Sequence, residues 1–141
     1  MDHSIAIAFG TPQHGWLPVD FHYQDFHLDF SASVVLNDSI DELYDAIFKL
    51  EDSEARQVIW WLEPAAYFFD FVRKGQNITL TISETQDLHS ESDDKIQLII
   101  ITADYKKIIE PFRIALRKFC SQIYEENHWP YKLHKDKIER L

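Results

Sequence analysis

Strict alternation of apolar and polar residues dominates the first quarter of the chain, and it predicts half-buried β-strands. A short alternating run covers residues 5–9, and two longer runs cover residues 17–23 and 26–34, which flank the dipeptide Gln24-Asp25. Two alternating runs separated by two residues indicate a β-hairpin that turns at this dipeptide.

Helical periodicity replaces alternation in two segments. Residues 39–50 place apolar side chains on one face of a helix, and Ser39 followed by Glu42 matches a capping box that would begin it. A longer helix is predicted to begin near Asp104. Within it, Pro111 marks either a kink or the end of a separate turn before the helix.

Further strands are predicted between the two helices. Residues 58–62 are continuously apolar and residues 96–101 place apolar side chains on both faces, as expected of strands that are covered on both faces, whereas residues 78–83 alternate. Residues 67–72 are also predicted to be extended. The polar and acidic segment 84–94 has no periodicity and is predicted to be a loop.

This order of elements predicts an α+β fold in a single domain covering residues 1–141. Runs of strands joined by short turns favour a mainly antiparallel sheet of about six to seven strands. The long C-terminal helix and the shorter helix at residues ~39–50 are expected to pack on one face of that sheet.

The negative charge is concentrated near the start of the chain. The formal net charge is -10, and residues 1–54 carry all of it because their only basic residue is Lys49. Direct binding to nucleic acid is disfavoured, since affinity for phosphate depends on clustered lysine and arginine. An acidic face would instead attract a basic protein, although acidic surfaces also serve simply to keep proteins soluble. The residues predicted to contact a basic partner are Asp20, Asp29, Asp38, Asp41, Glu42, Asp45 and Trp16.

Few features of the sequence indicate catalysis, a cofactor or export. The single cysteine, Cys120, cannot form an internal disulfide and is expected to fill the core of a cytoplasmic protein. No phosphate-binding loop or nucleophile elbow is present, and Glu63 and Asp70 are interpreted as ordinary carboxylates. No apolar run approaches the ~18 residues of a membrane helix, and the opening residues lack the basic start of a signal peptide. We therefore expect no cofactor and no membrane association.

The hairpin carries the sharpest local pattern, a nearly palindromic run from Asp20 to Asp29. A symmetric turn would place His22 opposite His27 and Asp20 opposite Asp29, all on the face away from the core. Opposed carboxylates destabilise a strand pair unless a divalent metal or a protonated histidine offsets their charge. The alternative is a polar face on which water screens the carboxylates.

Aromatic residues make up 14% of the chain and cluster along the later strands and the tail. Neighbours such as Trp60 and Trp61 are expected to project to opposite faces of a strand. Aromatic side chains that project outward would form a ligand pocket, a dimer interface or a partner surface, unless the C-terminal helix and tail cover them.

Five segments of the chain occur in an order that resembles a family of uncharacterised small bacterial proteins. They are Gly15-Trp16-Leu17-Pro18, Asn37-Asp38-Ser39-Ile40-Asp41-Glu42-Leu43, Trp61-Leu62-Glu63-Pro64 with Tyr67-Phe68-Phe69, Pro111-Phe112 with Ala115-Leu116, and His128-Trp129-Pro130. The resemblance covers most of the chain and implies a bacterial, cytoplasmic protein, but no activity is assigned to that family. In build alone, such small acidic α+β proteins are also similar to immunity proteins that neutralise toxins.

These observations favour a non-enzymatic binding or regulatory module that presents an acidic face to a basic protein partner. Attraction by charge would be followed by anchoring on exposed aromatics such as Trp16. A homodimer built on the second face of the sheet is compatible with this hypothesis. The alternative is a small-molecule- or metal-binding protein that uses an aromatic pocket and the hairpin face of His22, His27, Asp20 and Asp29.

Overall fold

The computed structural model describes residues 4–87 and 95–141, and these contain seven β-strands and three α-helices. In chain order the strands are β1 (Ile5–Phe9), β2 (Trp16–Tyr23), β3 (Phe26–Ser33), β4 (Ala55–Trp61), β5 (Ala66–Lys74), β6 (Asn77–Thr85) and β7 (Ile96–Asp104). The helices are α1 (Ser39–Phe48), between β3 and β4, and α2 (Tyr105–Cys120) and α3 (Lys135–Glu139), which follow β7. The predicted α+β class is confirmed.

The first three strands form an antiparallel sheet in the order β1-β2-β3. A two-residue turn at residues 24–25 joins β2 to β3. It pairs His22 with His27 and Asp20 with Asp29, which is the register predicted from the sequence. The palindromic pattern of the hairpin therefore located both its turn and its register correctly.

The last four strands form a second antiparallel sheet, a meander in the order β4-β5-β6-β7. Gly75, with a φ of 60°, provides the left-handed conformation in the tight turn between β5 and β6. Strand β6 continues further than predicted, because Thr85 still pairs with Ala66 of β5. Residues 88–94 of the predicted 84–94 loop lie outside the described residues.

The seven strands divide between two sheets instead of forming one. Helix α1 separates β3 from β4 in the chain, so no hairpin joins the two meanders. The apolar faces of the sheets pack together through aromatic rings, with the centroid of Phe21 5.5 Å from that of Phe69 and Phe30 6.0 Å from Trp60. Phe112 of α2 lies 6.4 Å from both Phe21 and Phe69. Helix α2 thus packs against both sheets, whereas the sequence predicted packing on one face of a single sheet.

Helix α1 begins differently from the prediction. Its N-cap is Asp38, whose carboxylate accepts a hydrogen bond from the Asp41 N–H at 3.1 Å. The predicted capping box of Ser39 and Glu42 is therefore wrong. Ser39 is buried inside the first turn, and the Glu42 carboxylate accepts a hydrogen bond from the Ile59 N–H of β4 instead.

Helix α2 begins after its N-cap, Asp104, as predicted, and continues without interruption through Pro111. Pro111 removes one main-chain donor, but Ile108 and Phe112 on either side of it are buried and hold the helix against the core. Within the described ranges, none of the helices combines the length and the apolar content that crossing a bilayer requires.

The contact of α2 with both sheets predicts a large cost for truncating its central aromatic side chain. Phe112→Ala should lower the free energy of unfolding by about 3–5 kcal/mol, because it leaves a cavity between the helix and the two sheets. Urea denaturation of the two proteins measures the difference. The matched control is Ile114→Ala on the solvent side of the same helix, where Ile114 is 45% exposed and a loss of about 0.5 kcal/mol or less is expected. Equal losses in both variants would contradict this description of the core.

Candidate functional site

One face of the three-stranded sheet is open to solvent. The alternation that buries Leu17, Val19 and Phe21 sends the intervening side chains outward. We call these outward residues the open sheet face; they are Ala6, Ala8, Trp16, Pro18, Asp20, His22, His27, Asp29 and Ser31. All of them are exposed or half-buried, so this face offers its side chains to a ligand or a partner.

A compact trio of polar side chains lies at the turn end of the open sheet face. The Asp20 carboxylate accepts a hydrogen bond from Nε2 of His22 at 2.9 Å and another from Nε2 of His27 at 2.6 Å. The two imidazole rings stack, with their centroids 3.9 Å apart and their planes at 12°. The hydrogen bond from His27, reinforced by the one from His22, holds the pKa of Asp20 below its ordinary value and keeps the carboxylate ionised.

Asp29 lies on the same face but outside the trio. It is directly opposite Asp20, as predicted. The ligand atoms that approach within 4.8 Å of one another, however, belong only to Asp20, His22 and His27. The four-residue cluster considered from the sequence is therefore a three-residue cluster with an exposed carboxylate beside it.

Trp16 lies at the other end of the open sheet face, where β2 begins. Its side chain is 38% exposed, and it is opposite Ser33 of β3. The loop before it is fastened to the C-terminal segment, because the Gly15 N–H donates to the His128 carbonyl oxygen at 2.7 Å and the His14 N–H donates to His128 Nδ1 at 3.0 Å. The sequence did not indicate this contact between two histidines that are 114 positions apart.

Two of the acidic residues predicted to bind a partner, Glu42 and Asp38, instead stabilise the first turn of α1. Glu42 accepts hydrogen bonds from the Ile59 N–H at 2.9 Å and from the Asn37 side-chain amide at 3.0 Å. These bonds fasten the first turn of α1 to the adjacent strand β4. Asp38 caps the same turn, and burial raises the pKa of its carboxyl group.

Lys137 of α3 lies against the other two acidic residues of α1. Its ammonium forms an ion pair with Asp41, lies 3.5 Å from Oδ1 of Asp45, and is 5.1 Å from the centre of the Tyr44 ring. Desolvation opposes the charge of Lys137, but the hydrogen bond and attraction from Asp41 and Asp45 outweigh it, so the pKa of the lysine is raised. Asp45 also pairs with Lys49 at 3.2 Å. The surface of α1 is therefore less negative than its own sequence suggests.

Two exposed apolar side chains follow the end of β3. Val35 is 67% exposed and Leu36 is 55% exposed, and both border a shallow groove of about 360 Å³ that Trp61 and Pro64 also line. The pattern of apolar and polar positions did not indicate this exposed pair. An apolar pair just after a strand gives no sign of whether the following helix will cover it.

The paired tryptophans project to opposite faces of β4, as expected. Trp60 lies in the main core, whereas Trp61 packs with Ala66 and Phe68 in a smaller cluster on the other face. Trp60 and Trp129 are fully buried, and Trp61 is 3% exposed. These rings serve mainly to pack the interior.

Cys120 lies at the end of α2, beside a cleft of about 260 Å³ between that helix and the C-terminal segment. The side chain is partly buried, and burial raises the pKa of its thiol. A raised pKa disfavours the thiolate, which is the reactive form of cysteine.

Comparison with known proteins identifies a similar fold. No protein-family model matches the chain, and no curated protein matches it as a relative. A chain in the solved structure described as the CdiA-CT/CdiI toxin and immunity complex from Enterobacter cloacae matches with a TM-score of 0.51. The match covers 79% of this chain and 97% of that chain at 8% sequence identity, and a likeness at that identity shows the fold alone.

Two substitutions separate the capping role of Asp38 from the cost of burying its charge. Asp38→Ala removes the cap and should lower the free energy of unfolding by about 0.5–2 kcal/mol at neutral pH. Asp38→Asn keeps an acceptor for the Asp41 N–H and removes the buried charge, so it should be at least as stable as the wild type at neutral pH. An Asn variant as unstable as the Ala variant would contradict this assignment.

The difference in stability between the wild type and Asp38→Asn should also depend on pH. Because the pKa of Asp38 is raised in the folded protein, its ionised carboxylate costs stability above that pKa. The cost disappears as the pH falls toward the ordinary value of 3.8. The stability advantage of Asp38→Asn over the wild type should therefore shrink on acidification, which urea denaturation across this pH range measures.

Proposed function

We propose that this protein is a non-enzymatic, cytoplasmic binding module of the immunity-protein type, which holds a basic protein partner on its open sheet face. The observation that carries the proposal is that an exposed tryptophan, Trp16, shares one uncovered sheet face with the carboxylates of Asp20 and Asp29. Aromatic anchors with charged groups around them are typical of protein–protein interfaces.

Long-range attraction supports a basic partner. The net charge of -10 arises from residues 1–54, which include the whole three-stranded sheet and α1. A field of one sign over a binding face raises the rate of encounter with an oppositely charged partner by about 10- to 1000-fold, and salt reduces this effect. The same field would repel nucleic acid.

The seven residues predicted to bind the partner fall into two groups, one that would contact the partner and one that would attract it from a distance. Trp16, Asp20 and Asp29 would contact the partner directly, because they lie on the open sheet face. The acidic residues of the first helix would contribute to the electric field more than to the contacts, because they already have partners in α1, β4 or α3. These four residues are Asp38, Asp41, Glu42 and Asp45.

The fold comparison supports the same class of function. The matching Enterobacter cloacae structure is a complex of a toxin with its immunity protein, so a chain of this fold takes part in a protein–protein complex. The fold by itself does not indicate the chemistry of a partner. We propose a basic partner because of the negative charge of residues 1–54 and the residues exposed on the open sheet face.

Affinity capture followed by measurement on purified proteins tests the proposal. The full chain is used as bait in lysate of its native bacterium, and a basic protein retained in stoichiometric amount is then purified and titrated. Trp16→Ala should weaken binding by about 30-fold, the effect of losing one anchor worth about 2 kcal/mol. Asp29→Asn should lower the association rate constant and flatten its dependence on salt.

Glu126→Gln is the matched control for Asp29→Asn, because it removes one exposed charge from the C-terminal segment. It should leave both the association rate constant and the affinity close to the wild-type values. If the partner binds Trp16→Ala and Asp29→Asn as tightly as the wild type, the open sheet face is not the docking site. If no basic protein is captured, the proposed class of partner is wrong.

We also propose that the second sheet supports self-association through its edge strand. Strand β7 lies at the edge of the four-stranded sheet, and no charged residue occurs between Ile96 and Ala103. Ile96 is 53% exposed and Ile100 is 52% exposed, so the prediction that this strand is covered on both faces is wrong. An uncharged, apolar strand edge is a template for pairing with a second copy, so the chain should form a homodimer through β7.

The substitution Ile100→Lys should abolish this dimer, because it would oppose two positive charges across the pairing of the two β7 strands. Sedimentation equilibrium over a range of concentrations should show a dimer for the wild type and a monomer for the variant. Lys95→Ala, immediately before the same strand, is the control for a general effect of changing the charge in this region. A wild-type protein that sediments as a monomer at every concentration would exclude the homodimer.

A further inference from the structure

We propose that Asp20, His22 and His27 bind one divalent transition-metal ion of the zinc class on the open sheet face. The ligand atoms of the three side chains lie within 4.8 Å of one another. Two imidazole nitrogens and a carboxylate oxygen are ligands that zinc and its neighbours in the periodic table accept. The inference does not depend on the proposed protein partner.

The distances within the trio are close to those that a metal requires. Nε2 of His22 and Nε2 of His27 lie 2.9 Å and 2.6 Å from the Asp20 oxygens. Tetrahedral ligands that are about 2.0–2.1 Å from zinc are about 3.3–3.4 Å from one another. Outward movement of each side chain by a few tenths of an ångström would open the trio around an ion. The imidazoles would then bind as neutral ligands, with the proton of each ring on Nδ1.

The backbone around the trio favours this arrangement. The two-residue turn at residues 24–25 makes His22 and His27 a directly opposed cross-strand pair, so both rings rise from the same face. On the other side of β2, the residues opposite His22 and Asp20 are Ala6 and Ala8. Their methyl groups leave space beside the trio, where a larger side chain would compete with an ion.

The donor set also excludes the hard cations as the intended ligand. Calcium takes six to eight oxygen ligands, and magnesium is usually bound through carboxylates and water, whereas this trio offers one carboxylate and two nitrogens. Three protein ligands leave at least one coordination position for water or for a donor from outside the chain. The exposure of the trio, with about half of each side chain accessible, gives such a donor access.

Calorimetric titration of the metal-stripped full chain with zinc chloride tests the inference. We expect one equivalent of zinc to bind to the wild type and no saturable binding of magnesium. His22→Gln, His27→Gln and Asp20→Asn should each weaken zinc binding by about tenfold or more, because each removes a ligand. Zinc should raise the melting temperature of the wild type and have much less effect on the double variant His22→Gln/His27→Gln.

Two control variants distinguish the trio from its surroundings. Asp29→Asn alters the carboxylate beside the trio and should keep the wild-type affinity within about threefold. His134→Gln removes an exposed histidine that lies 3.6 Å from Asp136, and it should also leave binding unchanged. Circular dichroism of each variant without zinc shows whether the fold is intact, which is expected because the altered side chains are exposed.

Three results would overturn the inference. One is the absence of saturable zinc binding to the wild type. Another is stoichiometric binding that survives in His22→Gln/His27→Gln, which would assign the metal to other histidines. The third is loss of binding in Asp29→Asn or His134→Gln equal to the loss in the ligand variants, which would assign the metal to residues outside the trio. None of these measurements involves a protein partner, so their failure would leave the proposed binding function standing.

Discussion

The packing of aromatic rings between the two sheets is the contact on which the rest of the molecule depends. Phe21, Phe69 and Phe112 bring β2, β5 and α2 together and bury the inner face of each sheet. Because alternate side chains of a strand point to opposite faces, burying the inner face of the three-stranded sheet sends every second residue outward. No helix of the described ranges packs over those outward residues, so the open sheet face is a direct consequence of the core.

The register of the β2–β3 hairpin decides which chemistry that face presents. A turn of two residues places His22 directly opposite His27, and both imidazoles reach the Asp20 carboxylate. A shift of one residue in the pairing would send the same side chains of one strand toward the core. The proposed metal trio and the proposed docking surface therefore both depend on the register of this hairpin. Both include Asp20. The two histidines belong only to the trio, and Trp16 and Asp29 belong only to the docking surface.

Contacts between distant parts of the chain redistribute the acidic charge. Lys137 of α3 pairs with Asp41 and Asp45 of α1 and offsets part of the charge of that helix. Within the described part of the chain, no ion pair of this kind reaches Asp29 on the open sheet face. The negative charge that the sequence spreads over the hairpin and α1 thus meets solvent most directly on the sheet, which is why we assign docking to that face.

Features that depend only on neighbouring residues could be predicted from the amino-acid sequence. Alternation with a period of two predicted β1, β2, β3 and β6, and the palindrome around residues 24–25 predicted the hairpin register, because both follow from local backbone geometry. Long-range packing sets which surface covers each apolar face, and hence that the strands form two sheets. It also sets the hydrogen bond between Glu42 and Ile59 and the position of Asp29 outside the trio. Such contacts depend on residues far apart in the chain and on side-chain rotamers, which a pattern of apolar and polar positions does not specify.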